Sequence, residues 1–86
     1  MAKIEIYTWE SCPFCLRAKA LLDSKGIKYV EYAIDGNPSA RAEMAQRANG
    51  RNTVPQIFIN NLGIGGCDEL HALESNHQLD DLLTEV

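Results

Sequence analysis

The chain opens on an alternation of apolar and polar residues with a period of two. The alternation covers residues 4–8, where Ile4 and Ile6 are separated by a charged position, and it predicts a first β-strand. Apolar residues then recur at helical spacing from Phe14 to about residue 25, and Gly26 is well placed to end that helix.

A second alternating run covers residues 27–34 and places Val30, Tyr32 and Ile34 on one face of a predicted strand. Because this strand follows a strand and a helix, we expect it to run parallel to the first strand, with a right-handed crossover between them.

A second helix is predicted from Pro38 to about Ala48, with Asn37 as its N-cap. Its apolar side is thin, so it should cover one face of a sheet without adding much core. Three charged residues are expected to face solvent on its other side: Arg41, Glu43 and Arg47.

The last third of the chain begins with a short, strongly apolar strand, Ile57 to Ile59. Asn60-Asn61 then predicts a tight hairpin into a fourth strand that carries Leu62 and Ile64. After Gly65-Gly66 a helical leucine spacing runs from residue 68 to the C-terminus, and it is interrupted near residues 75–76.

The predicted order is therefore β-α-β-α-β-β-α. This order indicates an α/β protein with a four-stranded mixed sheet and helices on both faces. At 86 residues the chain is expected to form one domain, residues 1–86.

Composition and charge narrow the class of partner. Hydrophobic residues make up 45% of the chain, charged residues 23%, and the net charge is −4. Basic residues are scattered, which argues against nucleic acid or an anionic membrane as a partner. No signal-peptide core and no run of 18 apolar residues is present, so a cytoplasmic location is expected. There, three cysteines indicate catalysis or metal binding rather than a structural disulfide framework.

The candidate chemistry lies in Cys12-Pro13-Phe14-Cys15, which follows the first strand and opens the first helix. Two thiols at i and i+3 on the first turn can form a redox pair. Cys12 would lie where unpaired backbone N–H groups and the positive end of the helix dipole favour a thiolate, so it is the candidate nucleophile. Pro13 suits the first helical position. A C-x-x-C in this context is a thioredoxin-like signal.

Four stretches together carry a resemblance to a known family: Cys12-Pro13-Phe14-Cys15, Thr53-Val54-Pro55, Pro55-Gln56-Ile57-Phe58-Ile59 and Gly65-Gly66-Cys67-Asp68. The chain resembles the dithiol glutaredoxins, and within them the short bacterial glutaredoxin 3 type. The resemblance covers nearly the whole chain. It implies the thioredoxin fold and a monomeric, glutathione-dependent thiol–disulfide oxidoreductase that acts on protein disulfides and glutathionylated proteins.

The resemblance also implies the site. Cys12 would be the nucleophile, Cys15 the resolving thiol and glutathione the reducing co-substrate, with no metal. A groove beside the thiols would bind glutathione through seven residues: Phe14, Thr53, Val54, Pro55, Gly66, Cys67 and Asp68. A cis Val54–Pro55 bond would present the Val54 backbone to the cysteinyl backbone of the ligand. The N–H groups of Cys67 and Asp68 would bind its γ-glutamyl carboxylate, and the Asp68 carboxylate its ammonium.

The sequence departs from the family pattern on the cationic side of this groove. Trp9 stands where many glutaredoxins carry a lysine, and Asn52 stands where a basic residue is common. Three arginines are candidate replacements, each with an alternative reading as a solvated charge: Arg41, Arg47 and Arg51.

Two alternatives to a redox enzyme follow from the same cysteines. Cys12, Cys15, Cys67 and His71 have spacings that a Cys₃His zinc site could use. Alternatively the protein would carry an iron–sulfur cluster between two chains with glutathione as co-ligand, as some glutaredoxins do. Against that alternative, Pro13 stiffens the loop where cluster binders tend to carry a smaller residue. Anaerobic reconstitution and a visible absorption spectrum would separate the carrier from the enzyme.

Overall fold

The structure is a computed structural model that describes residues 2–84. Its elements are β1 (Ile4–Thr8), α1 (Pro13–Ser24), β2 (Val30–Ala33), α2 (Pro38–Arg47), β3 (Gln56–Ile59), β4 (Leu62–Gly65), α3 (Cys67–Ser75) and α4 (Leu79–Thr84). This order confirms the predicted one, with the last helix divided near Asn76 as expected.

The four strands form one mixed sheet in the order β2-β1-β3-β4. β1 pairs with β2 in parallel and with β3 in antiparallel, and β3 pairs with β4 in antiparallel. Asn60 and Asn61, with φ of 51° and 68°, form the turn between β3 and β4. Positive φ at both central residues is the geometry that suits a two-residue hairpin.

Helices pack on both faces of the sheet, and each face has its own core. On one face, Ile4 and Ile6 contact buried residues of α1, α3 and α4. On the other face, Tyr7 and Phe58 contact Met44 of α2. All five residues of β1 are buried because this central strand is covered on both sides, so the polar positions of its alternating pattern do not face solvent. The fold is the thioredoxin fold.

The second strand is shorter than predicted. It begins at Val30 rather than at residue 27, and Val30 is 46% exposed instead of lying in a core. Ile27 and Tyr29 pack against the main core from the connection that precedes the strand. Apolar residues in that connection therefore produced a periodicity that looked like strand.

Arg47 contradicts the prediction that it faces solvent. Its guanidinium donates to both carboxylate oxygens of Glu5, at 3.0 and 3.1 Å, and to the hydroxyl of Tyr7 at 2.9 Å. It also lies 4.1 Å from the centroid of the Phe58 ring. Because α2 offers few apolar side chains, the long arginine covers the ring in their place, and Glu5 from the buried central strand neutralises its charge. Glu43 is exposed, as predicted.

Candidate active site

The dithiol lies where the chain leaves the sheet. After β1 a short loop leads to Cys12, which is the N-cap of α1, and Pro13 holds the first helical position as predicted. Cys12 Sγ accepts a hydrogen bond of 3.2 Å from the backbone N–H of Cys15. A sulfur thus fills the role that an N-cap oxygen usually has, and a negative charge on it would be stabilised by that N–H and by the helix dipole.

The two thiols differ in exposure. Cys12 is 7% exposed and Cys15 1%, so Cys12 is the more accessible of the two to incoming disulfides. Burial, together with the hydrogen bond between the two cysteines, raises the pKa of Cys15 to about 12. At neutral pH the protonated thiol of Cys15 is therefore favoured.

The loop before β3 lies against the nucleophile. The Val54–Pro55 peptide bond is cis, as the resemblance implied. Cys12 Sγ is 3.9 Å from the carbonyl oxygen of Val54, to which the protonated thiol donates. The first turn of α1 and the Val54–Pro55 segment are therefore in direct contact.

An open cleft of about 210 Å³, here called the dithiol cleft, lies next to this contact. Its walls contain all seven residues that the sequence assigned to a binding groove, together with Arg51, one of the three candidate cations, and Glu69, which the sequence did not indicate: Phe14, Thr53, Val54, Pro55, Gly66, Cys67, Asp68, Arg51 and Glu69. Phe14 is half-exposed, and its ring forms one wall with Arg17 5.9 Å from the centroid. Cys12 contacts Val54, which lines the cleft.

The far wall of the cleft is the start of α3. Gly66 is the N-cap, and Cys67 and Asp68 hold the first two helical positions, whose N–H groups have no carbonyl partner within a helix. Cys67 is buried, and burial raises the pKa of its thiol. Asp68 is exposed at the mouth. This wall can therefore offer backbone donors and one carboxylate to a ligand.

Glu69 supports the same wall, a role that was not predicted from the sequence. Its carboxylate accepts from the Gly66 N–H at 2.7 Å and from Arg51 at 3.1 Å. These two donors hold the pKa of Glu69 below its usual value. An N-cap residue followed by glutamate three residues later is half of a capping box, a signal that the glycine at the cap obscures.

Gly65, just before this wall, has a backbone conformation that disfavours any side chain and lies close to two neighbouring side chains. Its φ is +113°, and a Cβ there would stand 2.6 Å from Glu69 Oε1 and 3.0 Å from Arg51 Nη1. Only glycine adopts this conformation readily.

The candidate cations separate into three places. Arg51 lines the dithiol cleft, whereas Arg47 lies with Glu5 and Tyr7. Arg41 stacks over the Trp9 ring at 4.9 Å and donates to the Asn52 carbonyl at 3.1 Å. Trp9 and Arg41 line a separate open cleft of about 230 Å³.

The zinc alternative finds no assembled ligand set. Within residues 2–84, no group of three or more His, Cys, Asp or Glu side chains is placed to hold a metal ion.

No helix within residues 2–84 is long and apolar enough to cross a membrane.

Comparison with known proteins gives consistent matches. The profile of the Glutaredoxin family matches residues 4–64. The chain is 59% identical to glutaredoxin 3 of Escherichia coli over 83 residues, which cover 96% of this chain and 99% of that protein. It is 65% identical to a probable glutaredoxin of Synechocystis sp. over 82 residues, 95% of this chain and 75% of that protein. The crystal structure of a buckwheat glutaredoxin–glutathione complex superimposes with a TM-score of 0.88 at 29% identity, over 96% of this chain and 77% of that chain.

Proposed function

The chain belongs to the glutaredoxin family of glutathione-dependent thiol–disulfide oxidoreductases, and we propose that it works through Cys12 as nucleophile and Cys15 as resolving thiol. The observation that carries this proposal is the asymmetry of the pair. Cys12 is the more accessible thiol and caps a helix, where the Cys15 N–H contacts its sulfur at 3.2 Å, whereas burial keeps Cys15 protonated.

Two reactions follow from this asymmetry. With a glutathionylated protein, the Cys12 thiolate attacks the sulfur of glutathione, the protein thiol leaves, and free glutathione then releases the glutathione held on Cys12. With a protein disulfide, Cys12 forms a mixed disulfide with one substrate sulfur as the substrate disulfide breaks and the other sulfur leaves as a thiol. Cys15 then loses its proton and attacks Cys12 Sγ, and the substrate sulfur bonded to Cys12 leaves. Two molecules of glutathione reduce the resulting Cys12–Cys15 disulfide and become glutathione disulfide.

We propose that the dithiol cleft binds glutathione. The backbone of Val54 would pair with its cysteinyl residue, as one extended strand pairs with another. The N–H groups of Cys67 and Asp68 suit the γ-glutamyl carboxylate, and the Asp68 carboxylate suits the ammonium. Phe14 would cover the thiols on the apolar side. The similarity to the buckwheat glutaredoxin, whose structure is of a glutathione complex, supports this assignment.

The setting in which this chemistry works is a reducing one. We propose that the protein acts in the cytoplasm as a monomeric single domain, on protein disulfides and glutathionylated proteins, because the regeneration step consumes free glutathione.

The direct test is a glutathione-coupled assay run on two substrates side by side, a glutathionylated peptide and an oxidised protein such as insulin. Both should be reduced at the expense of glutathione. If neither substrate were reduced by glutathione while a chemical dithiol restored activity, the glutathione assignment would be wrong and the dithiol chemistry would stand.

Asp68→Ala should raise KM for the glutathionylated peptide by about two- to tenfold and change kcat less. The reason is the loss of one charge-assisted contact at an exposed position, which solvent weakens. Steady-state kinetics at low and at high salt give the measurement, and the increase in KM should be smaller at high salt.

Asp81→Ala is the matched control, since it removes the same side chain from α4, away from the cleft. A KM that is unchanged in Asp68→Ala, or raised equally in both variants, would remove Asp68 from the proposed site.

A further inference from the structure

A buried hydroxyl, a carboxylate and an ammonium form a chain of contacts on the α1 side of the sheet. Thr8, fully buried at the end of β1, donates to Glu31 Oε2 at 2.6 Å. Lys19 of α1 donates to the same oxygen at 2.9 Å, and its side chain is only 24% exposed. Both donors hold the pKa of Glu31 below its usual value, so this group remains a carboxylate at neutral pH. Neither of the two proposed reactions uses these residues.

Lys19 carries a positive charge one helical turn after the resolving thiol on α1. Lys19 follows Cys15 by four residues, one turn along α1, so both side chains lie on the same face of the helix. Helical side chains lean toward the N-terminus, which points the lysine back toward Cys15. Burial has the largest effect on the pKa of Cys15 and raises it, followed by the hydrogen bond with Cys12, whereas the backbone of Trp9 and, by the smallest amount, the charge of Lys19 lower it.

A positive charge near Cys15 would favour the resolving step. In that step Cys15 gives its proton to solvent, its sulfur forms a bond to Cys12 Sγ, and the bond from Cys12 to the substrate sulfur breaks. The substrate sulfur leaves as a thiolate and takes up a proton. The electron pair that reduces the substrate comes from the two cysteines, so no other reductant enters. The unfavourable part is the appearance of a negative charge on a sulfur that is 1% exposed.

We propose that Lys19 is a positioning residue whose positive charge stabilises the Cys15 thiolate in the resolving step, against the opposing negative charge of Glu31. It acts through Cys15 and not on the substrate. Its influence is therefore confined to reactions that need both thiols, while the single-thiol reaction at Cys12 proceeds without it. This inference rests on the proposed role of Cys15.

The resolving step can be followed by mixing the reduced protein with glutathione disulfide and quenching with acid at successive times. Mass spectrometry separates the protein that carries glutathione on Cys12 from the protein with a Cys12–Cys15 disulfide. The conversion of the first into the second gives the rate. In Lys19→Met we expect this rate at pH 7 to fall by about three- to tenfold, since a partly exposed charge exerts a modest effect. The first step, glutathione addition to Cys12, should change less.

The pH dependence distinguishes an electrostatic role from a structural one. The rate should rise with pH in both proteins as more Cys15 ionises, and the curve of Lys19→Met should be displaced to higher pH. Lys19→Arg keeps the charge and should restore most of the rate. Lys28→Met is the matched control, because it removes an exposed lysine from the connection before β2 and should leave the rate unchanged.

Glu31→Gln is the decisive comparison. It breaks the same ion pair as Lys19→Met but leaves the cation in the protein. We expect it to keep the resolving rate at or above that of the unchanged protein. Equal losses in Glu31→Gln and Lys19→Met would overturn the proposal, because the ion pair and not the cation would then matter. A normal rate in Lys19→Met, or a rate in Lys19→Arg as low as in Lys19→Met, would also overturn it.

The failure of this inference is distinguishable from the failure of the proposed function. If Cys15→Ser loses protein-disulfide reduction while Lys19→Met resolves normally, only the role of Lys19 is wrong. If Cys15→Ser retains protein-disulfide reduction, the role assigned to Cys15 is wrong.

Discussion

Cys12→Ser should abolish the reduction of both glutathionylated peptide and protein disulfide, whereas Cys15→Ser should lose only the second activity. A mixed disulfide with glutathione needs one thiol, and Cys12 is the accessible one, capping α1 where the Cys15 N–H contacts its sulfur. A serine hydroxyl does not ionise under these conditions and is no substitute as a nucleophile. The activity of Cys12→Ser should therefore fall to the uncatalysed rate.

In Cys15→Ser the protein-disulfide reaction should fall by at least about tenfold. The thiol of Cys15, one helical turn away, attacks intramolecularly. Its effective concentration is far higher than the millimolar concentration of the glutathione that would have to replace it. Deglutathionylation should continue at close to the normal rate. The two coupled assays on both variants give the measurement, with thermal unfolding to show that each variant is folded. Equal loss of both activities in Cys15→Ser would contradict the assigned roles.

Arg47→Met should lower the free energy of unfolding by about 3 kcal/mol, at the lower end of the range for breaking a buried ion pair, because Arg47 is 25% exposed. The substitution keeps an apolar stem over Phe58 but leaves the Glu5 carboxylate buried and without its main partner. Urea unfolding at pH 7 measures the loss.

The double variant Glu5→Gln with Arg47→Met is the matched test of the cause. With the charge removed as well, much of the loss should be recovered, since the cost comes from an uncompensated carboxylate. A double variant that is less stable than Arg47→Met would instead assign the effect to packing over Phe58.

The stabilisation of the folded protein by the Glu5–Arg47 ion pair depends on pH in a definite direction. The hydrogen bond from Arg47 has the largest effect on the pKa of Glu5 and lowers it, burial raises it, and the hydrogen bond from Tyr32 lowers it. The net result is a lowered pKa of Glu5 in the folded protein. The pair therefore stabilises the folded protein above the pKa of Glu5 in the unfolded chain, and this contribution is lost as the pH falls through the lowered value. The difference between Arg47→Met and the unchanged protein should accordingly shrink in acid.

Much of this architecture could be predicted because local signals agreed with the tertiary fold. Asn37-Pro38, Asn60-Asn61 and Gly65-Gly66 each marked an element boundary that the structure has. The walls of the dithiol cleft could be named through family resemblance, since its parts come from three separate segments and no periodicity connects them.

The errors have a common physical origin, which is that tertiary contacts reassigned side chains whose local pattern was ambiguous. Residues Ile27 and Tyr29 alternate as in a strand yet pack from a connecting segment. Arg47 is charged yet covers Phe58, because its partner Glu5 lies on a strand buried on both faces. The support that Glu69 gives to Gly66 and Arg51 depends on a loop that folds back from residues far away in the chain.

The glycine that ends β4 limits how the specificity of this protein could be redesigned. Any other residue at Gly65 would be strained by its φ of +113°, and a Cβ there would displace the Glu69 side chain, so a library randomised there would mostly sample altered clefts. Thr53 is exposed and Phe14 half-exposed on the opposite walls. Given the proposal that the dithiol cleft binds glutathione, a search for variants that accept a bulkier thiol should diversify those two positions and keep Gly65 constant.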